Sequence, residues 1–82
     1  MPVSAWVLVQ TEIGRARPVS EAAAAIKTEG VTVLASDTVT GPHDVILHFQ
    51  AETFDAITVG FESQLEAIPG VEHTITCLTI NP

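Results

Sequence analysis

The chain is short of cysteine and of long apolar runs, and both shortages exclude classes of protein. Its 82 residues include one cysteine, Cys77, so no disulfide can form within the chain, whereas small secreted domains usually depend on several. An apolar run such as residues 22–26 is far too short to span a membrane, and the opening MPVSAW has no basic, apolar leader. We therefore expect a reducing, cytoplasmic location.

Basic residues are also scarce. The chain has three basic residues, Arg15, Arg17 and Lys27, and ten acidic ones, which gives a formal net charge of -7. Such a chain repels the phosphate backbone, and three scattered cations make no useful basic patch. We expect no direct binding of nucleic acid.

Apolar residues are plentiful at 46% of the chain, so a folded domain is expected and not a disordered segment. The length allows one domain, residues 1–82. A monomer of this size buries only about 60% of the surface that its unfolded chain exposes, so partners would add needed stability.

The hydrophobic periodicity predicts four strands and two helices. Apolar and polar residues alternate, or β-branched residues are frequent, in four segments that we therefore predict to be strands: residues 3–11, 31–39, 44–50 and 71–80. A first helix has Pro18 in its first turn and runs to about Lys27, and Gly30 stops it. A second helix begins at Thr53 as N-cap and ends before residues 69–70. One stripe of this helix carries Phe54, Ile57, Phe61, Leu65 and Ile68. The order β-α-β-β-α-β is that of the α+β ferredoxin-like fold.

The two faces of the predicted sheet differ in character. Val45, Leu47 and Phe49 are uniformly apolar and should lie under the helices. The opposite face mixes polar and large apolar side chains: Trp6, Leu8, Leu34, Ile46 and Leu78 with Gln10, His48, Gln50, Thr74 and Thr76. Five large apolar side chains exceed what monomers usually leave in water, which favours a sheet-on-sheet dimer. A monomer with a mixed sheet surface is the open alternative.

Three segments together resemble the effector-binding (RAM) domain of the Lrp/AsnC, or feast/famine, regulators. They are AWVLVQTEIG at residues 5–14, VTGPHDVI at 39–46 and IPGVEHTITCLTI at 68–80. In that family they form the first strand, the tight turn between the second and third strands, and the helix exit with the last strand. The likeness covers almost the whole chain, but not the N-terminal helix-turn-helix of full-length regulators. The resemblance therefore implies a stand-alone module that binds no DNA itself.

The resemblance also implies an assembly and a ligand. Family members form dimeric α/β barrels that assemble further into rings, commonly octamers. The effector, usually an amino acid, lies in a cleft between dimers, beside the turn between the second and third strands. Occupancy would then alter assembly or contacts with a full-length Lrp/AsnC regulator.

The turn residues supply groups that a zwitterion needs. Gly41 leaves its backbone amide accessible to a carboxylate, whereas Pro42 has no amide proton and stiffens the loop. The donors are then the amides of Gly41, His43 or Asp44, and the Asp44 carboxylate can pair with an ammonium group. On residue types alone, an alternative stays open: glycine and proline merely make the hairpin, and Asp44 bonds neighbouring amides.

Three threonines and one phenylalanine extend this candidate site by resemblance. Thr74 and Thr76 match positions that approach the effector pocket, although threonine is also an ordinary strand residue. Thr38 and Phe54 match positions where changes are expected to alter the effector response. Phe54 has a competing role in helix packing.

An enzyme is the alternative function. Other dimeric α/β barrels include cofactor-independent monooxygenases and small isomerases, with a site inside the sheet cavity. Here that site would hold His48 and Trp6, but the sequence places no acid beside His48. His43, His48 and His73 lack the short spacing of zinc ligands, so neither a metal nor a cofactor is expected, nor any catalytic residue. Cys77 is predicted to be a small buried hydrophobe.

Overall fold

The strands and helical segments follow one another in the predicted order β-α-β-β-α-β. The computed structural model describes residues 2–80, so Met1, Asn81 and Pro82 of the expected domain lie outside the described residues. The strands are β1 (Val3–Thr11), β2 (Val31–Thr38), β3 (Val45–Ala51) and β4 (Val71–Leu78). Helix α1 (Ala16–Ala24) lies between β1 and β2, and a π-helical segment (Ala56–Phe61) leads directly into α2 (Glu62–Glu66). The predicted ferredoxin-like fold is confirmed.

The four strands form one antiparallel sheet in the order β2-β3-β1-β4. Alternate residues of the two central strands point to the helices and are fully buried, as Val7, Leu47 and Phe49 are. The Phe49 ring contacts that of Phe61, with ring centroids 4.4 Å apart. One side of the sheet is therefore covered by the helices, and the other side, which we call the open face, is not. No helix within residues 2–80 has the length and apolar character needed to cross a membrane.

Helix α1 is shorter than predicted at its C-terminal end. Pro18 does lie in the first turn, as expected. The helix ends at Ala24 and not near Lys27, because the amides of Ala25 and Ile26 donate to carbonyls three residues back and tighten the last turn. The prediction of this end was wrong by three residues.

The second helical stretch is not a continuous α-helix. Its beginning agrees with the prediction, because the Ala56 amide donates to the Thr53 hydroxyl oxygen at 3.2 Å. The Glu62 amide then donates to the Ile57 carbonyl, five residues back, which is π-helical geometry. The wide turn breaks the single α-helical stripe. Ile57, Phe61 and Leu65 are buried as predicted and Ile68 packs partly against them, whereas Phe54 is 53% exposed.

The two faces of β4 are the reverse of the prediction. Thr74 pairs with Val9, Thr76 with Val7 and Leu78 with Ala5, so these three lie on the helix side. Ile75 and Cys77 pair with Leu8 and Trp6 and lie on the open face. Cys77 is therefore exposed and not buried as predicted. Alternation defines two faces of a strand but not which one is buried, and β4 carries one large aliphatic residue on each.

A bulge in β2 lies between Val33 and Ala35, which pair with Phe49 and His48. The residue between them, Leu34, is 48% exposed. The extra residue returns Ser36 to the helix side. There the Ser36 hydroxyl donates to the Ser20 carbonyl of α1 at 2.8 Å and lies 3.0 Å from the Ser20 hydroxyl. These bonds attach α1 to an edge strand of the sheet.

Candidate functional site

The connection from β2 to β3 holds most of the predicted ligand residues. It is closed by the Val39 amide, which donates to the Asp44 carbonyl at 2.9 Å and leaves the Gly41 and His43 amides outside this bond. Gly41 has φ +143, a conformation that favours glycine, and a Cβ built there would meet no atom within 4 Å. The space beside Gly41 is therefore open to a ligand.

The remaining residues of this connection differ in exposure. Thr38 ends β2 and is exposed, as Pro42 is, whereas His43 and Asp44 are half-buried. Thr38, Gly41, Pro42, His43 and Asp44 are close in sequence and all lie in this short segment.

Asp44 fixes this turn to the end of β1. Its amide donates to the Val9 carbonyl at 2.9 Å, and its Oδ2 accepts from the Thr11 amide at 2.9 Å. One carboxylate oxygen therefore bonds a neighbouring amide, as the simpler interpretation of the sequence required. The other oxygen, Oδ1, makes no hydrogen bond within residues 2–80.

Two further loops lie at the same end of the sheet. The Glu12 amide donates to the Gly70 carbonyl at 2.8 Å, which joins the loop after β1 to the turn before β4. The Arg15 amide donates to the Glu12 carbonyl at 3.0 Å. A Cβ built on Gly70 would lie 2.9 Å from the Arg15 Cβ, so these loops pack closely. These contacts join the β1–α1 loop to the turn before β4, at the end of β1 to which Asp44 is also bonded.

Thr74 and Thr76 lie far from the turn within one protomer. Thr38 and Thr74 belong to one row of paired residues that crosses the sheet through Val45 and Val9. Three strand spacings separate the ends of that row, which is about 14 Å. The Thr76 hydroxyl is already engaged and donates to Glu62 Oε1 at 3.0 Å. One protomer alone does not bring all the predicted site residues together.

A second group of neighbouring side chains lies around His48 on the open face. Its imidazole stacks on the Trp6 indole, with ring centroids 4.0 Å apart and planes 2° from parallel. His48 Nε2 lies 3.0 Å from the Ser4 hydroxyl oxygen, within hydrogen-bonding distance. His43 is in the turn and His73 pairs with Gln10, so the three histidines do not converge. Within residues 2–80, no group of three or more His, Cys, Asp or Glu side chains could hold a metal ion.

A concavity that the sequence did not predict lies at the opposite end of the sheet from the β2–β3 turn. It measures about 310 Å³ and is lined by Pro2, Gly30, Val31, Thr32, Gln50, Ala51 and Glu52. The ends of β2 and β3 form it, together with the residue before β1. No motif marks these residues, because only the strand pairing brings them together.

Comparison with known proteins supports the fold. No protein-family model matches the chain, and no curated protein matches it either. Among solved structures, TTHA0845 from Thermus thermophilus is 24% identical with a TM-score of 0.84, over 98% of this chain and 95% of that one. E. coli AsnC is 11% identical with a TM-score of 0.82, over 98% of this chain and 52% of AsnC. The chain has the fold of the Lrp/AsnC effector-binding domain. The resemblance drawn from the sequence is confirmed at this level.

A third solved structure is that of the transcriptional regulator NMB0573 from Neisseria meningitidis in complex with L-Met. It is 20% identical with a TM-score of 0.76, over 96% of this chain and 50% of NMB0573. The Lrp/AsnC-like fold therefore occurs both in a protein of nearly this length and in about half of two longer ones.

Proposed function

We propose that the chain is an amino-acid-binding and oligomerisation module of the transcription-regulator type. The observation that carries the proposal is the β2–β3 turn, where the Gly41 and His43 amides lie outside the bond that closes the turn and the Asp44 carboxylate is held by the Thr11 amide. The ligand class is supported by NMB0573, a regulator of similar fold that was solved with L-Met.

The proposed binding mode uses both charges of an amino acid. The ligand carboxylate accepts hydrogen bonds from the Gly41 and His43 amides, and the open space beside Gly41 admits it. The ligand ammonium donates to Asp44 Oδ1, the oxygen that the Thr11 amide does not use. Pro42 between the two amides limits the loop's freedom and lowers the entropy lost on binding.

The proposed cleft lies between protomers. Thr38 belongs to the same segment as the turn, whereas Thr74 and Thr76 lie on the far edge of the sheet. We propose that they line the cleft from a neighbouring protomer. Binding between protomers also links ligand affinity to assembly, since each changes the other's equilibrium by the same free energy.

The open face is the proposed surface of the basic dimer. Trp6, Leu34 and Ile75 are each more than 40% exposed there, and Leu8 and Ile46 lie beside them. Covering one such side chain fully stabilises by about 1.5–3 kcal/mol. A second copy of the same face is the simplest cover, and we propose that such dimers assemble into a ring, an octamer by resemblance to the Lrp/AsnC family.

The proposed partners are proteins and not nucleic acid. A net charge of -7 disfavours contact with the phosphate backbone. Full-length Lrp/AsnC regulators, which would share this fold, are the proposed heterologous partners. The proposed location is the cytoplasm, in keeping with a single, exposed cysteine.

The first experiment is a thermal denaturation screen of the twenty standard amino acids. A ligand at ten times its Kd stabilises a one-site protein by about 1.4 kcal/mol. In a domain of this size, that raises Tm by about 6–11 °C. Native mass spectrometry of the same samples reports any change in assembled mass. If no amino acid changes either quantity, the proposed function is wrong.

Analogues of the best ligand serve as matched controls. The corresponding amino-acid amide lacks the carboxylate, and the 2-oxo acid lacks the ammonium group. Each should raise Tm much less than the amino acid does at the same concentration, because each leaves one half of the proposed site unpaired. A 2-oxo acid that stabilises as well as its amino acid would show that Asp44 plays no part in recognition.

One observation favours the alternative function of an enzyme. The Ser4 hydroxyl and His48 Nε2 are 3.0 Å apart, as a nucleophile and its general base would be. Within residues 2–80, no carboxylate bonds the His48 ring to orient it. Turnover of small esters or quinols that is lost in Ser4→Ala or His48→Ala would support this function over a binding module.

A further inference from the structure

We infer that Asp44 is a positioning residue as well as a ligand group: its Oδ2 replaces a missing strand partner and thereby holds the Gly41 and His43 amides in place. The inference rests on the proposed function and concerns the same site. It assigns different tasks to the two oxygens of one carboxylate.

The β1–β3 ladder ends one residue before Asp44 is reached. Val9 and Thr11 are two residues apart, so their backbone groups point to the same side, towards β3. The last paired residues of the two strands are Val9 and Val45. The Val9 carbonyl accepts a hydrogen bond from the Asp44 amide. For the Thr11 amide, however, β3 has no further backbone carbonyl that could accept.

The Asp44 carboxylate supplies that acceptor. Thr11 is only 8% exposed, and its amide donates to Oδ2 at 2.9 Å. A buried amide without a partner is costly, so this bond is strongly favoured. With the amide and carbonyl bonds, Asp44 is held at three points, to Val9, Val39 and Thr11.

The consequence concerns the residues just before Asp44. Gly41, Pro42 and His43 make none of the bonds that hold the turn, so its position depends on the anchors at Val39 and Asp44. Losing the Oδ2 bond would leave Asp44 bonded to β1 only through the Val9 carbonyl, so the turn could move more freely relative to β1. The ligand would then have to order the turn again, which weakens binding without removing any direct contact.

Two substitutions separate the two tasks. Asp44→Asn keeps an oxygen that can accept from the Thr11 amide but removes the charge that pairs with the ammonium group. Asp44→Ala removes both. The amino acid that raises Tm most in the wild-type protein is the probe, with its Kd measured by calorimetry.

We expect an ordered series. Asp44→Asn should bind about tenfold more weakly than the wild type, because a charge-assisted bond is lost. Asp44→Ala should bind about fivefold more weakly still, because the turn must be ordered on binding. The exchange rate of the Thr11 amide, followed by NMR without ligand, should increase only a few-fold in Asp44→Asn, whose neutral oxygen is a weaker acceptor, and at least tenfold in Asp44→Ala.

The outcomes distinguish the two proposals. Equal affinities of Asp44→Asn and Asp44→Ala, or equal Thr11 exchange rates, would overturn the positioning role. Equal affinities of Asp44→Asn and the wild type would instead overturn the ion pair in the proposed function and leave the positioning role intact. If the wild type binds no amino acid, the proposed function fails and the positioning of a ligand site fails with it. The exchange rates then decide only whether the anchor exists.

Discussion

At the scale of single residues, the proposed site depends most on Gly41, which combines a positive φ with open space around it. Its φ of +143 is unfavourable for residues with a Cβ, and no atom lies within 4 Å of one built there. Gly14 combines a positive φ of +82 with the same open surroundings, but it lies in the β1–α1 loop. The two glycines therefore form a matched pair.

We predict that Gly41→Ala abolishes the rise in Tm caused by the amino acid, whereas Gly14→Ala preserves it. Both variants should lose stability, on the order of 1–3 kcal/mol, because each glycine has a positive φ that alanine adopts only with strain. Thermal denaturation with and without ligand measures both effects. A Gly41→Ala protein that still responds would show that the turn does not bind the ligand.

Residue chemistry made part of the site predictable. Glycine followed by proline, histidine and aspartate predicted the turn, and Thr53 predicted a helix start; the ligand groups of the turn remain a proposal. The Thr11 amide gave no signal, since every residue but proline has one. Its need for Asp44 follows only from where the β1–β3 ladder ends.

At the scale of elements, the periodicity predicted all four strands and the buried side of β3. The periodicity did not predict which face of β4 is buried, because Ile75 and Leu78 place one large apolar residue on each face. The pairing of β4 with β1 determines which of the two faces lies under the helices. The periodicity also failed at Phe54, because the following π-helical turn is not encoded by apolar spacing. Gly60 lies within the π-helical segment and very close to the connection between α1 and β2. A Cβ at this position would lie 2.8 Å from Thr28 Cγ2, so a larger residue would not fit without a shift.

At the scale of the whole molecule, the apolar side chains exposed on the open face bear on the oligomeric state. After the correction of β4, this face exposes Ile75 in place of Leu78, and Cys77 beside Trp6. The number of large apolar side chains on it is unchanged. With either assignment of the β4 faces, the open face therefore exposes enough apolar surface to favour a covering partner.

We predict that Ile75→Lys raises the dimer dissociation constant by about 100-fold or more, because a lysine there must enter a covered face without a partner charge. Val59→Lys is the matched control, since Val59 is 77% exposed on the helical layer, on the other side of the sheet. Sedimentation velocity over a range of concentrations measures both variants. Equal behaviour of the two lysine variants would argue against a dimer through the open face.

The site proposal assigns the ligand to one end of the sheet, whereas the 310 Å³ concavity lies at the other. Amide chemical shifts recorded by NMR during titration with the best amino acid test this directly. We predict that the largest changes occur at Gly41, His43 and Asp44, with a smaller change at Thr11. Changes centred on Gly30, Val31 and Gln50, with the turn unaffected, would contradict the account.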